Sequence, residues 1–123
     1  DGVDLHAALS ALAESIPQPR IALRLAEEAR PADLARAQAL LRAAQEGVTN
    51  ALRHAGASTL QIALYREADA LCLSVSDNGR GPGGSTPGHG LTGLQERLAA
   101  VGGQVRLQAL PGGGSCLIAT VPA

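Results

Sequence analysis

Apolar residues recur along this chain with two periods, and the switches between them mark out its elements. Leu5, Leu9 and Leu12 fall three and four apart behind Asp4, which predicts a helix capped by that Asp and running to about Ser15. Pro17 and Pro19 end it. Ile21, Leu23 and Leu25 then alternate with Ala22, Arg24 and Ala26, the period of a strand. Pro31 and Asp33 open a long helical pattern that continues to about His54, where Gly56 follows as helix C-termini prefer. Leu60, Ile62 and Leu64 form a second strand, and Ala70 to Asp77 a third after a short turn. From Asn78 to Gly88 the chain is rich in Gly and Pro and is predicted to be irregular. A last helix is expected from about Leu91 to Val101, stopped by Gly102 and Gly103. Two strands follow, about Gln104 to Leu110 and Ser115 to Val121, joined by Pro111-Gly-Gly-Gly114.

Strands joined by short turns pair antiparallel. With so few helices, the economical arrangement is an α+β two-layer sandwich, its helices on one face of a mixed, mostly antiparallel sheet. The 123 residues suffice for one domain around one core, and no linker divides them. That core must be aliphatic, because the chain has one Tyr and no Phe, Trp or Met. The lack of aromatic platforms argues against single-stranded nucleic-acid binding. A net charge of -1 argues against binding a phosphate backbone in general. Cys72 and Cys116 lie in strand-like runs without a Cys or His at metal-ligand spacing, so buried free thiols are expected, with a disulfide between neighbouring strands left open. Neither a membrane-spanning run nor a signal peptide is visible. The chain begins at Asp1, not Met, and is expected to be a piece of a longer protein.

Three clusters carry candidate chemistry. On the long helix, Glu46, Asn50 and His54 are four apart with Arg53 between them, and at ~100° per residue they share a side. Leu41, Ala44, Val48, Ala51, Leu52 and Ala55 fall nearly opposite and are expected in the core. A carboxylate, an amide, a guanidinium and an imidazole on one face suit a metal ion with phosphates, though a merely solvated polar face has the same pattern. On the third strand, Asp77 shares its parity with Leu71, Leu73 and Val75, so it is expected to point into the helix layer. A carboxylate there needs hydrogen-bond donors, and a ligand amino group is one source. Gly79 and Gly81 follow and would let a flat ligand approach the backbone, although Asp-Asn-Gly also occurs in plain turns. Finally, Gly88-His89-Gly90-Leu91-Thr92-Gly93 matches G-x-G-x-x-G, but no strand precedes it and no acid follows about twenty residues on, so the dinucleotide-fold reading fails. A helix start behind glycines still offers free N–H groups to phosphates.

Taken in order, Glu46-x-x-x-Asn50-x-x-Arg53-His54, Asp77-Asn-Gly79-Arg-Gly81 and Gly88-His-Gly90-Leu-x-Gly93 resemble the N, G1 and G2 boxes of the GHKL (Bergerat-fold) ATPases. The Asn-Ala-Leu-Arg-His-Ala wording, the short lid and the missing Phe-containing box look most like sensor histidine kinases partnered by NarL/LuxR-type regulators. The resemblance implies ATP and Mg²⁺ as ligands. It implies that Asp77 accepts from the adenine amino group, that Gly79 and Gly81 lie against the base, and that Asn50 coordinates Mg²⁺. Glu46 would orient or polarise the nucleophile, with Arg53 and His54 beside the phosphates. Gly88, His89, Gly90, Leu91 and Gly93 would form the lid hinge and the phosphate-facing helix start. The family places a Thr after Gly near the adenine carboxylate, and Gly114-Ser115 keeps the hydroxyl here.

None of the three His residues has the acidic neighbour of a phosphoacceptor motif: His6 and His54 precede Ala, and His89 precedes Gly. His6 is expected on a helix surface and His89 in a loop near the nucleotide. The resemblance therefore implies an isolated catalytic domain, cytoplasmic and belonging to a membrane-anchored bacterial sensor. Its partners would be a phosphoacceptor and dimerisation domain upstream and a response regulator, with no nucleic acid and no membrane contact of its own. The rivals are an anti-sigma-type serine kinase of the same fold and a non-catalytic nucleotide-binding module.

Overall fold

Two aspartates start the first two helices as the pattern predicts. Asp4 accepts from the N–H of Ala7 at 3.3 Å and caps α1 (Leu5–Glu14). Asp33 accepts from Arg36 N–H at 2.9 Å and caps α2 (Leu34–Asn50); each cap satisfies a donor that has no partner within the helix. In the computed structural model the described residues are 4–17, 20–55, 58–79, 89–111 and 113–123. The strands are β1 (Ile21–Leu25), β2 (Leu60–Glu67), β3 (Ala70–Asp77), β4 (Gln104–Ala109) and β5 (Ser115–Pro122), with α3 (His89–Ala100) between β3 and β4. They form one sheet in the order β1-β2-β3-β5-β4. Only the β1–β2 pair is parallel; the other three pairs are antiparallel. The expected mixed, mostly antiparallel sheet is present.

The register sets the layers. Ile62, Val75 and Leu117 lie side by side across β2, β3 and β5, as do Leu64, Leu73 and Ala119. All are buried. α1 packs on β1, α2 on β3 and β5, and α3 on β4 and β5, so the helices cover this one face. Leu5, Leu9, Leu40, Leu71, Leu98 and Val121 complete an aliphatic core. Each such Leu stabilises the fold by about 1.5–3 kcal/mol on burial.

Chain direction then decides where the chemistry gathers. β2 runs parallel to β1 and α2 returns the chain between them, so the C-terminal end of α2 lies beside the start of β2. β3 is antiparallel to β2 and Asp77 pairs with Leu60, which brings the end of β3 to that same edge. Ser115 pairs with Asp77, so β5 starts there too. α3 also starts there, because β4 runs parallel to β3 and α3 must carry the chain back.

Four details depart from the sequence pattern. α2 does not continue as an α-helix to His54: its end widens into a π turn, Ala51–Ala55. The buried stripe is Ala37, Ala39, Leu40, Ala43, Ala44, Gly47, Val48 and Ala51. Leu52, expected in the core, follows Ala51 inside the π turn at the margin of that stripe and is 45% exposed. α3 begins at His89, two residues before the expected Leu91, so His89 is a helix residue and not a loop residue. His6 is half-buried and not on the surface, because its Nε2 donates to the Ala26 carbonyl at 2.8 Å and ties α1 to the end of β1.

The cysteines are free and buried, on the sheet face away from the helices. Cys72 pairs with Thr120 and Cys116 with Ser76, which places them four residues apart along the sheet, roughly 13 Å at strand rise. That separation rules out a disulfide. Burial pushes both thiols up from their ordinary range, which makes them poor nucleophiles.

Candidate nucleotide site

Asp77 is the one buried charged residue among those described, 7% exposed at the end of β3. Its donors come from the protein itself. Oδ1 accepts from the N–H of Gly79 at 2.8 Å, closing an Asx turn over Asn78. Oδ2 accepts from the Ser115 hydroxyl at 2.8 Å, across the strand pair. Each carboxylate oxygen has a second lone pair, so Asp77 can accept one more donor without losing these two. Burial without such partners would cost several kcal/mol, on the order of 2–7 for a polar group.

The approach of β5 to Asp77 depends on Gly114. Its φ is +96°, a conformation that L side chains rarely adopt, and a Cβ there would run into the Asp77 carbonyl oxygen and come within 3.1 Å of Asn78 Cα. A second glycine sets the height of α2. A Cβ on Gly47 would stand 2.9 Å from Val75 Cβ and 3.0 and 3.2 Å from its two γ-carbons. Val75 is buried and stiff at χ1, so the helix can lie this low over β3 only with Gly at that position. Gly47 is the neighbour of Glu46 and lies one turn before Asn50, while Val75 is two residues before Asp77.

At the same edge of the sheet, Glu46 and Asn50 are half-buried and Arg53 is exposed. The α-helical phase that put Arg53 on their face does not carry through the π turn, where each residue advances by less than ~100°. The side chain of His54 lies outside the described residues, as do Gly81 and Gly88 entirely and the side chains of His89 and Leu91. The backbone of His89, Gly90 and Leu91 opens α3 at this edge, and Gly93 is exposed with open space where a Cβ would be. Among the described residues no three His, Cys, Asp or Glu converge on a metal position. A depression of ≈ 410 Å³ lined by Arg24, Ala26, Ala63 and Tyr65 lies toward the far end of β2 and contains neither an amide nor a carboxylate side chain.

Asn78 is the residue that the pattern passed over. Its Oδ1 accepts from the N–H groups of Ser58 and Thr59, both at 2.9 Å, and its Nδ2 donates to Ser58 Oγ at 2.8 Å. Nothing local announces these partners, which lie 19 and 20 residues earlier. Gly47 did carry a signal, because a glycine inside a helical pattern usually marks close packing.

A carboxylate held at a strand end, polar residues at the end of α2, and a helix start converge at one edge. Residues 35–123 match the family of histidine kinase-, DNA gyrase B-, and HSP90-like ATPases. The chain belongs to this family. Among its relatives, the signal transduction histidine-protein kinase/phosphatase UhpB of Salmonella typhimurium is 37% identical over 75 residues, 59% of this chain and 15% of that protein. Sensor histidine kinase YxjM of Bacillus subtilis is 32% identical over 98 residues, 80% of this chain and 24% of that protein. The chain thus spans less than a quarter of the length of either. The NMR structure of the histidine kinase domain of the E. coli osmosensor EnvZ superposes with a TM-score of 0.73 at 21% identity, covering 97% of this chain and 83% of that one. At that identity the likeness shows the fold: this ATPase-family domain has the architecture of a histidine kinase catalytic domain.

Proposed function

We propose that residues 1–123 form one catalytic domain that binds Mg-ATP and, within a longer protein, supplies the γ-phosphate to a His of a phosphoacceptor and dimerisation domain. The observation that carries this reading is Asp77, a buried carboxylate held by Gly79 and Ser115 with accepting capacity left for an adenine amino group. Gly79, with Gly81, lets the base lie against the backbone. Asn50 offers a hard oxygen of the kind magnesium takes. With no protein cluster of three ligands among the described residues, the ion would be held through Asn50 together with phosphate oxygens and water, a usual arrangement for magnesium on a nucleotide. It supplies charge neutralisation between the phosphates when bound.

Glu46, one turn before Asn50, orients the attacking imidazole nitrogen. Arg53 and His54 lie beside the phosphates. Gly88, His89, Gly90, Leu91 and Gly93 form the lid hinge and the start of α3, whose N–H groups face anionic oxygens. Transfer forms the N–P bond as the bond from the γ-phosphorus to the β–γ bridging oxygen breaks, and ADP leaves. Catalysis in such a reaction is mainly positioning and charge compensation, so the domain without its acceptor turns nucleotide over slowly.

The relatives named as sensor kinases support a response regulator as the downstream partner, and the UhpB relationship favours the NarL/LuxR-partnered branch. On this reading the domain works in the cytoplasm of a bacterial cell, as part of a membrane-anchored sensor. No helix among the described residues is long and apolar enough to cross a membrane. Calorimetry with Mg-ATP and Mg-ADP, followed by labelled ATP with an upstream helical domain supplied, tests the reading. Acid-labile phosphate on a His of that domain is expected. Acid-stable phosphoserine on a partner points to the anti-sigma-type kinase instead, and absence of nucleotide binding at millimolar concentration points to a non-catalytic module.

A further inference from the structure

Asn78 lies inside the Asx turn that holds Asp77, yet its own side chain is committed to another part of the chain. Its Oδ1 takes the N–H groups of Ser58 and Thr59, and its Nδ2 gives a proton to Ser58 Oγ, at 2.8–2.9 Å. Ser58 and Thr59 lead into β2, whose first residue, Leu60, pairs with Asp77. They also follow the π turn that closes α2. One amide therefore joins the segment downstream of Asn50 to the strand end that carries the buried carboxylate.

We propose that Asn78 is a positioning residue for nucleotide binding, fastening the segment after the π turn to the Asp77–Gly79 loop and so holding the carboxylate that receives the base. The inference rests on the nucleotide reading above. Gly79 N–H can bind Asp77 Oδ1 only while the peptide between them keeps its orientation, and Asn78 is that peptide's side-chain anchor. Asn78, Ser58 and Thr59 are all exposed. Water replaces their hydrogen bonds when the amide is removed, so the fold loses little while the loop loses its fixed position.

The donor and acceptor pattern makes the test selective. In Asn78→Asp both N–H groups keep their acceptor, and the Ser58 hydroxyl turns from accepting to donating. In Asn78→Ala all three bonds are lost. Adenosine and Mg-ADP affinities are measured by calorimetry on the wild-type chain, both variants and Leu9→Ala, a core substitution in α1 away from the site. Amide exchange at Ser58 and Thr59 is followed in parallel. The expected result is a Kd raised about tenfold in Asn78→Ala, with Asn78→Asp within about twofold of wild type. Slow exchange at Ser58 and Thr59 is expected in wild type and Asn78→Asp, and fast exchange in Asn78→Ala. Leu9→Ala is expected to lower Tm and leave Kd unchanged. An unchanged Kd in Asn78→Ala, an equal loss in Asn78→Asp, or an equal loss in Leu9→Ala overturns the inference while leaving the nucleotide reading intact. A wild-type chain that binds no nucleotide overturns both.

Discussion

The two ends of the site are built differently. At the strand end, Asp77 is buried and already bonded to Gly79 and Ser115, with Gly114 pressed against its backbone. At the helix end, Glu46 and Asn50 are half-buried, Arg53 is exposed, and the helix loosens into a π turn. On the proposed reading, the first is a receptor set before any ligand arrives. The second offers polar groups whose arrangement a ligand would complete. A buried carboxylate has to be satisfied by the fold, because leaving it unpaired is costly. Half-buried and exposed groups at a helix end keep access to water and need no such partners, so on the proposed reading they can wait for phosphates and a metal ion. Base recognition is thus expected to be rigid, and phosphate and metal recognition adaptable.

The strongest way to break this contrast is at Gly114. Gly114→Ala forces a side chain into a positive-φ position against the Asp77 carbonyl and is expected to cost about 3 kcal/mol of stability, the upper range for a strained backbone position. Urea unfolding reads this, and a cost within error of zero removes the close approach from the account. Next comes Asp77→Asn, which removes the charge and reverses half of the hydrogen-bond pattern. It is expected to weaken adenosine and ATP alike by about 1.5–3 kcal/mol. A loss confined to ATP would put the base elsewhere.

Asn50→Ala probes the other end. Linked ligands typically couple by about 1–3 kcal/mol, and here the coupling between magnesium and ATP is expected to fall toward zero while adenosine affinity stays the same. Titrations with and without chelator give the coupling directly; a retained magnesium dependence would exclude Asn50 as the ligand. The smallest effect is expected at Ser115→Ala, about 1 kcal/mol of nucleotide affinity for one hydrogen bond. Ser115→Thr keeps the hydroxyl and should bind as wild type does. If Thr and Ala weaken binding equally, the hydroxyl is not what holds Asp77 in place.

Where the elements lie was legible because each depends on short-range signals. Asp4 and Asp33 cap the helices they precede, and the alternation at Leu60, Ile62 and Leu64 marks a strand wherever it packs. The inward aim of Asp77 followed from parity alone. The end of α2 was not legible, because the same apolar spacing continues through Ala51 and Leu52 whether the turn is α or π. The commitment of His6 to Ala26 was hidden for a similar reason: its partner lies 20 residues on, in a strand end whose position the local pattern cannot give.

The sequence by itself determined the order of helices and strands, the aliphatic core, and the residue types available for chemistry. Periodicity and capping are properties of neighbours in the chain, so they survive without knowledge of the fold. Only the tertiary structure decided which donors satisfy Asp77, because Ser115 reaches it from 38 residues away through the register of β3 and β5. It also decided that Asn78 holds Ser58 and Thr59, and that Gly47 must be small beneath Val75. Hydrogen bonds and close contacts act over a few ångströms, and which residues come that close is set by strand order and chain direction.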